Sequence, residues 1–127
     1  MRIDIISIFP GMFEGVFNES IIKRAQEKKK VSIRLHDLRR YTRDKHRKVD
    51  DRPFGGGSGM VMSADPIFRA VKAVLPRTKK ARACSRVVLL CPQGVPFSQA
   101  KARELSGVRQ LVLICGNNEG VDERVRL

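Results

Sequence analysis

Apolar and polar positions along the chain switch between strand-like and helix-like patterns. A short apolar strand is predicted at 3–8, and residues 19–30 carry apolar side chains on one helical face before a basic end. VSIRL at 31–35 alternates as a half-buried strand does. The runs VVLL at 87–90 and LVLI at 111–114 are continuously apolar, which is typical of strands buried on both faces.

The segment SADPIFRAVKAVLP predicts a well-bounded helix. Asp65 is placed to cap this helix, Pro66 suits its first position and Pro76 closes it. Its buried stripe is predicted to consist of Ile67, Ala70, Val71 and Val74. Ser98 is predicted to cap a short helix that Gly107 ends, and PRTKKARACSR is predicted to be a basic surface loop. Strands that alternate with helices predict an α/β domain with a mostly parallel sheet and flanking helices.

Length and cysteine content narrow the class of protein. The 127 residues suit one domain with one core. No apolar run reaches the length of about 18 residues that a membrane span needs, and the first ten residues do not make a secretory signal. We therefore expect a cytoplasmic protein without a membrane partner. Cys84, Cys91 and Cys115 are expected to be buried thiols, and neither they nor His36 and His46 show metal-ligand spacing.

Charge is the compositional feature that points to a partner. Lys and Arg number 26 against 13 acids, a net charge of +13, and no acid occurs from Pro66 to Arg103. Such a field attracts polyanions, of which nucleic acid is the usual one, although a merely solubilising surface is the alternative. The stretch LRRYTRDKHRKVDDR concentrates this charge around one aromatic residue, Tyr41, so it predicts phosphate contact rather than base stacking.

Two loops are predicted at the carboxyl ends of strands. CPQGVPF follows residues 87–90 and GNNEG follows residues 111–114. Ligands of open α/β sheets bind outside these strand ends, and the glycines would let backbone groups approach an adenine or ribose edge. A cofactor between two loops and a pair of ordinary tight turns are equally compatible with the spacing alone.

DRPFGGGSGM is a third glycine-rich loop. It has no Gly-Lys-Ser/Thr of a P-loop, and Met60 stands where a dinucleotide fingerprint counted from Gly55 needs its last glycine. A loop without side-chain bulk can admit a flat base against the backbone, whereas a flexible surface loop is the alternative. Arg52 lies beside Asp50 and Asp51, either of which could hold it.

Five segments together resemble a known family: IDIISIFPGMF, RRYTRDKHRKVDDRPFGGGSGMVM, DPIF, LLCPQGVPFSQ and LICGNNEGVDERV. They are similar to the N-terminal half of the bacterial tRNA (guanine-N1-)-methyltransferases of the SPOUT class. The resemblance implies a homodimer with a trefoil knot at the carboxyl end of a parallel sheet. It also implies bent S-adenosyl-L-methionine as cofactor, tRNA as partner, and methylation of N1 of guanosine 37. Mg²⁺ is a further family-level expectation.

The resemblance also implies roles for individual residues. The cofactor would contact Leu90, Cys91, Pro92, Gly94, Gly116, Asn118, Glu119 and Gly120. The tRNA would contact His46, Asp50, Arg52, Gly57, Ser58 and Gly59, and the last three would border the target guanine. No catalytic residue and no metal ligand is implied within this chain, because the family assigns the base to an aspartate farther along.

Departures from the family pattern affect what we expect of the chain. Cys91 stands where the family usually has Ser, and Asn117 and Asn118 stand where it usually has Arg or His followed by Tyr. We expect a lower affinity for the cofactor as a result. The ending at Leu127 predicts a methyltransferase domain, residues 1–127, that lacks its C-terminal end and the tRNA-binding domain. Residues 1–127 alone are predicted to be inactive.

Two other classes of function remain open from the residues. One is a non-catalytic basic RNA-binding protein. The other is a metal-dependent phosphotransfer enzyme that uses Glu119, Asp122 and Glu123, of which Glu119 and Glu123 would share a helical face. For Glu119 we expect a structural role, accepting backbone N–H bonds at a helix N-terminus, at least as much as a chemical one.

Overall fold

The computed structural model describes residues 1–117 and 119–127. Strands and helices follow one another along the chain in this order: β1 (Arg2–Ser7), α1 (Glu14–Phe17), α2 (Ser20–Glu27), β2 (Ser32–Asp37), β3 (Asp50–Asp51), β4 (Val61–Met62), α3 (Ala64–Val74), α4 (Lys79–Ala83), β5 (Ser85–Leu90), α5 (Gln99–Ser106) and β6 (Gln110–Cys115). Short 3-10 helices occupy Pro10–Phe13, Leu38–Tyr41 and Glu123–Val125.

The main sheet contains four strands in the order β2-β1-β6-β5, and every pair is parallel. Ile5 of β1 therefore lies between Leu35 of β2 and Leu113 of β6. This arrangement confirms the predicted mostly parallel α/β sheet. The short antiparallel ribbon of β3 and β4, which pairs Asp50 with Met62, is not predicted by the sequence pattern.

Helix α3 covers one face of the sheet and forms the core with it. Ile67 and Ala70 are fully buried and Val74 nearly so, as the apolar stripe predicts, and they pack in one cluster with Ile6 and Val112.

The predicted start of α3 is wrong by two residues. Ser63 occupies the N-cap without a side-chain hydrogen bond, and Pro66 is the third helical residue. Proline is tolerated there because the first N–H groups of a helix have no intrahelical acceptor. Asp65 does not cap the helix; its carboxylate lies 2.9 Å from Nε of Arg69 one turn later.

The burial predicted for β5 is also wrong. Val87 and Leu90 are 43% and 49% exposed, because β5 is the last strand of the sheet and has a neighbour on only one side. The predicted basic loop before β5 contains α4, whose first turn Thr78 caps by accepting a hydrogen bond from the Ala81 N–H. Charge alone could not show that this segment begins with a capping residue.

The cysteines are less buried than expected. Cys84 is exposed, whereas Cys91 and Cys115 are partly buried. Burial raises the pKa of the Cys115 thiol, which fits a small apolar neighbour of the core rather than a nucleophile. Within the described residues, no helix is both long and apolar enough to cross a membrane.

A buried polar network that no sequence pattern predicts joins three strands. Asp4 is fully buried on β1; its carboxylate accepts hydrogen bonds from Arg2 at 2.9 Å and from Gln110 at 2.7 Å. Nε2 of His36 lies 2.8 Å from Asp4, and Nδ1 of the same ring lies 3.2 Å from the Tyr41 hydroxyl. Burial opposes the charge, yet the hydrogen bonds from Arg2, Gln110 and His36 hold the pKa of Asp4 below its usual value.

Candidate cofactor and RNA site

Two loops leave adjacent parallel strands at the carboxyl edge of the sheet. The first loop, residues 91–97, follows β5, and the second loop, residues 116–122, follows β6. Gly116 lies between the second loop and the end of β5: a Cβ added there would be 3.3 Å from Cγ2 of Val121 and 3.6 Å from the carbonyl oxygen of Leu90. The sequence-predicted residues Leu90 and Gly116 are therefore neighbours, and the space beside them suits backbone approach rather than a side chain.

The first loop begins with a tight turn. The Gly94 N–H donates to the Cys91 carbonyl at 3.2 Å, which places Pro92 in the bend. A cavity of about 360 Å³ opens beside this loop, within the range of small-molecule sites. Its lining comes from β5, the loop and α5: Arg86, Val88, Leu89, Leu90, Cys91, Gly94, Val95, Phe97, Lys101, Glu104 and Leu105.

This cavity includes three of the predicted cofactor residues but does not reach the described residues of the second loop. Leu90, Cys91 and Gly94 line it, whereas Gly116, Glu119 and Gly120 do not. The α5 residues Lys101 and Leu105 line it without having been predicted. The one signal that could have indicated them is the short Ser98-capped helix directly after the loop, whose capping bond from the Lys101 N–H is present at 3.2 Å.

The glycine-rich segment 52–60, called the glycine loop, is attached to the second loop by backbone hydrogen bonds. The Glu119 N–H donates to the Met60 carbonyl at 3.0 Å, and the Asp122 N–H donates to the Met62 carbonyl at 2.9 Å. In the other direction the Met62 N–H donates to the Gly120 carbonyl at 3.0 Å. The fold therefore brings together two segments that are about 60 positions apart in the sequence.

Gly59 and Glu119 are in direct contact. A Cβ at Gly59 would overlap Cγ of Glu119 and lie 3.1 Å from its carboxyl carbon, and the φ of Gly59 is +89°. Both the space and the backbone conformation at this position therefore require glycine. Gly57, with a φ of +139°, and Ser58 precede it on the exposed tip of the loop.

The remaining predicted RNA contacts lie in and before the β3–β4 ribbon. Asp50 is a partly buried residue of β3, and the carboxylate of Asp51 accepts a 2.8 Å hydrogen bond from the Arg52 backbone N–H. His46 is exposed on a turn where backbone N–H groups of Lys48 and His46 lower the pKa of Asp44. Among the described residues, no hydrogen bond or ion pair joins His46 to the glycine loop. The predicted cofactor contact of Asn118 lies outside the described residues.

Glu119 and Glu123 do not share the predicted helical face. Glu119 lies in the loop, and the helical turn spans only Glu123–Val125. Asp122, not Glu119, caps that turn by accepting from the Arg124 N–H at 3.0 Å, and the Arg124 side chain lowers the pKa of Asp122. Across residues 1–117 and 119–127, no three His, Cys, Asp or Glu side chains are grouped so that they could hold a metal ion. The arrangement gives no support to a metal-dependent phosphotransfer site.

A parallel α/β sheet with loops at the carboxyl ends of two adjacent strands has the architecture of open α/β proteins, whose ligands bind at that edge. The site residues do not by themselves distinguish one reaction from another within that class. A family model described as tRNA (Guanine-1)-methyltransferase TrmD matches residues 1–127. The chain belongs to this tRNA (guanine-1)-methyltransferase family.

Individual relatives agree with the family match. The chain is 61% identical over 127 residues to the tRNA (guanine-N(1)-)-methyltransferase of Heliobacterium modesticaldum, and the match covers 99% of this chain and 47% of that protein. It is 54% identical to the enzyme of the same name from Moorella thermoacetica, covering 100% and 50%. The crystal structure of tRNA (m1G37) methyltransferase from Aquifex aeolicus superimposes with a TM-score of 0.86 at 34% identity, covering 99% and 55%. The chain spans about half the length of the curated relatives it matches.

Proposed function

We propose that this chain supplies the cofactor-binding part of a tRNA (guanine-N1-)-methyltransferase that transfers a methyl group from S-adenosyl-L-methionine to N1 of guanosine 37 in tRNA. The observation that carries the proposal is that the end of β5, the second loop and the glycine loop meet at one edge of the sheet. Gly116 adjoins Leu90, and Glu119 adjoins Gly59. In the proposal the methyl donor is held at the first pair and the target base at the second.

In this proposal the chain binds and orients its two substrates chiefly with backbone groups. S-adenosyl-L-methionine, when bound, supplies an electrophilic methyl group. The loops around Gly94 and Gly116 provide N–H and C=O groups for its adenosine part, and no Cβ obstructs the approach at either glycine. Gly57, Ser58 and Gly59 form the surface against which the flat guanine lies. Holding both reactants in line accounts for much of the rate of such a transfer.

The reaction also needs a proton acceptor, because the N1 proton must leave as the methyl group arrives. Glu119 contacts the glycine loop, but its side chain packs against Gly59 and its N–H is bonded to Met60, so we assign it a positioning role. The base is proposed to be the downstream aspartate that the family resemblance implies. For this reason residues 1–127 alone are proposed to be inactive.

Three further features are proposed on the family resemblance: a trefoil knot at the carboxyl edge, a cytoplasmic location, and a homodimer.

The homodimer has support from an apolar hollow of about 590 Å³ on the sheet face opposite α3. Ile3, Ile5 and Leu113 form its floor, and Ile21 of α2 stands beside it 75% exposed. Grouped apolar side chains of this kind favour a protein partner. Sedimentation equilibrium of the wild type and of Ile21→Glu tests the dimer. Mg²⁺ stays a prediction without assigned ligands.

The proposed function is tested by a chimera in which residues 1–127 replace the matching half of the Heliobacterium modesticaldum relative. We expect incorporation of labelled methyl groups into unmodified tRNA that carries guanosine 3′ of the anticodon, within about tenfold of the intact relative, because the halves are 61% identical where they are exchanged. A chimera in which Gly116 is also replaced by Val is the matched inactive control.

The alternative function, a non-catalytic RNA-binding protein, predicts a different outcome. A folded chimera that binds tRNA but transfers no methyl group would overturn the enzymatic proposal and favour the alternative. A thermal unfolding transition measured on the same sample establishes that the chimera is folded.

A further inference from the structure

The amino ends of the four parallel strands form a second, separate edge of the sheet. Backbone hydrogen bonds connect the segments that precede them: the Met1 amino group donates to the Lys30 carbonyl at 3.2 Å, the Arg2 N–H to the Arg109 carbonyl at 2.8 Å, and the Arg109 N–H to the Cys84 carbonyl at 2.9 Å. Residues distant in sequence therefore lie in one row, on the side of the sheet away from the three loops.

This row is rich in basic side chains, nearly all of them exposed. We call it the amino-edge surface, and its cations are Arg2, Lys28, Lys29, Lys30, Arg34, Lys72, Arg77, Lys79, Lys80, Arg82 and Arg109. Within segments 26–34, 72–84 and 106–110, which are fully described, Glu27 is the single acid. The nearby Asp4 is fully buried and already bonded to Arg2, so it does not neutralise the others.

Four of these cations surround a polar hollow of about 550 Å³ at the C-terminal end of α3. They are Arg2, Arg34, Lys72 and Arg77, and residues 73–76 complete the lining. In the described part of the chain no acidic side chain lies within ion-pair distance of Arg34, Lys72 or Arg77. Arg82 is fixed alongside by a 2.7 Å hydrogen bond from its Nε to the Pro76 carbonyl.

We propose that the amino-edge surface binds the phosphate backbone of tRNA at a region remote from the methylated nucleotide. The inference rests on the proposed function. Six-residue strands at about 3.3 Å per residue separate the two edges by roughly 20 Å, about twice the Debye length at 0.1 M salt, so the two edges contact different phosphates.

The shape and chemistry of the hollow favour RNA over an anionic membrane. Arginine presents a planar fork that matches phosphate oxygens, and three arginines and one lysine line the hollow. A concave site of this kind suits a projecting backbone, whereas a lipid surface would meet only its rim. The segment 39–52 is a second basic region, so the amino-edge surface adds contacts instead of supplying all of them.

The test compares two double variants with the same change in net charge. Lys72→Gln with Arg77→Gln removes two cations from the hollow, and Lys23→Gln with Arg103→Gln removes two exposed cations from α2 and α5. Fluorescence anisotropy with whole tRNA gives the affinity across salt concentrations. We expect the hollow variant to lose about one to two decades at 0.1 M salt and its log–log salt slope to fall by roughly 1.4–1.8, with little change in the control.

A hairpin of the anticodon arm serves as the second probe. We expect the two double variants to bind this hairpin equally well, because the hollow contacts another part of the tRNA. The inference would be overturned if both double variants lost the same affinity for whole tRNA, or if the hollow variant alone lost affinity for the hairpin. It would also be overturned if the wild-type chain did not bind tRNA.

Two further measurements separate the inference from its alternatives. Cations near helix C-termini also complement the carbonyl ends, so a hollow variant that loses stability but keeps its tRNA affinity would show a structural role and overturn the inference. Binding to phosphatidylserine-containing vesicles in place of tRNA would overturn it in favour of a lipid surface. If the amino-edge surface does not bind tRNA, the chimera still transfers methyl groups. If the proposed function is wrong, the chimera transfers none, so the two failures are distinguishable.

Discussion

Replacing Asp4 by Asn should cost the fold more than any comparable change at its surface. The Asp4 side chain has no exposed area, and its two oxygens face Arg2, His36 and Gln110 at 2.7 to 2.9 Å. The amide keeps the size of the carboxylate but removes the charge and turns one acceptor into a donor, which then faces donor groups. Breaking a buried ion pair from one side typically costs about 3–5 kcal/mol.

This cost is a large share of the total stability. A domain of this size is stable by about 5–15 kcal/mol, and 1 kcal/mol shifts its melting temperature by roughly 3–5 °C. We therefore expect Asp4→Asn to melt roughly 10–20 °C below the wild type in circular dichroism. The matched control is Asp65→Asn, the same change in an exposed carboxylate that pairs with the partly buried Arg69, which should cost about 1 kcal/mol or less.

The pH dependence of the unfolding free energy provides a second, independent test of the Asp4 network. Because the pKa of Asp4 is lowered in the folded state, its contribution is fully present above the unfolded value of about 3.9 and is lost as the pH falls through the lowered value. The difference in unfolding free energy between wild type and Asp4→Asn should shrink below about pH 4. Asp44, Glu104 and Asp122 also have lowered pKa values, but they occur in both proteins and cancel in the difference. The ionised network would be refuted if Asp4→Asn lowered the unfolding free energy by less than about 1 kcal/mol at neutral pH. It would also be refuted if the difference between the two proteins did not change with pH.

Four other outcomes are expected. Gly116→Val in the chimera should abolish calorimetric binding of S-adenosyl-L-methionine without unfolding the protein, since the φ of Gly116 is not in the left-handed region; unchanged affinity would remove Gly116 from the site. Gly59→Ala should destabilise the chain by about 1–2 kcal/mol from its positive φ plus the overlap with Glu119, and Glu119→Ala should recover only the overlap part in denaturant titrations. Affinity of residues 1–127 for RNA should fall by roughly two to three decades between 50 and 200 mM salt if about five phosphates are contacted, whatever base follows the anticodon; a salt-insensitive complex would contradict this. Residues 1–127 alone should show no methyl transfer beside an intact relative at equal concentration, and clear turnover would place the catalytic groups in this half.

Periodicity predicted the elements that bury an apolar stripe. The stripe of Ile67, Ala70 and Val74 located α3, and the apolar run at 111–114 located the central strand β6. The same signal failed for β5, since an apolar run does not say whether a strand has one neighbour or two. The ribbon of β3 and β4 has only two residues per strand, too few for any period to be visible.

The candidate site was predictable in part because chain order determines where loops after parallel strands emerge. The two loops are adjacent because β5 and β6 pair with each other, and the same pairing places Gly116 beside Leu90. The contact of Gly59 with Glu119 depends on a long-range bond of the Met60 carbonyl, which no local pattern encodes. The Asp4 network was missed for the same reason: its members come from residues 2 to 110, and each is unremarkable alone.

The backbone bonds between residues 60–62 and 119–122 couple the two ligands that the site is proposed to hold. Three N–H donors, on Met62, Glu119 and Asp122, join the second loop to β4 and to the end of the glycine loop. A ligand that immobilises one of these segments also reduces the conformational freedom of the other, so the second ligand has less entropy to lose on binding. The two ligands should therefore bind with positive cooperativity, and linkage requires each to strengthen the other by the same factor.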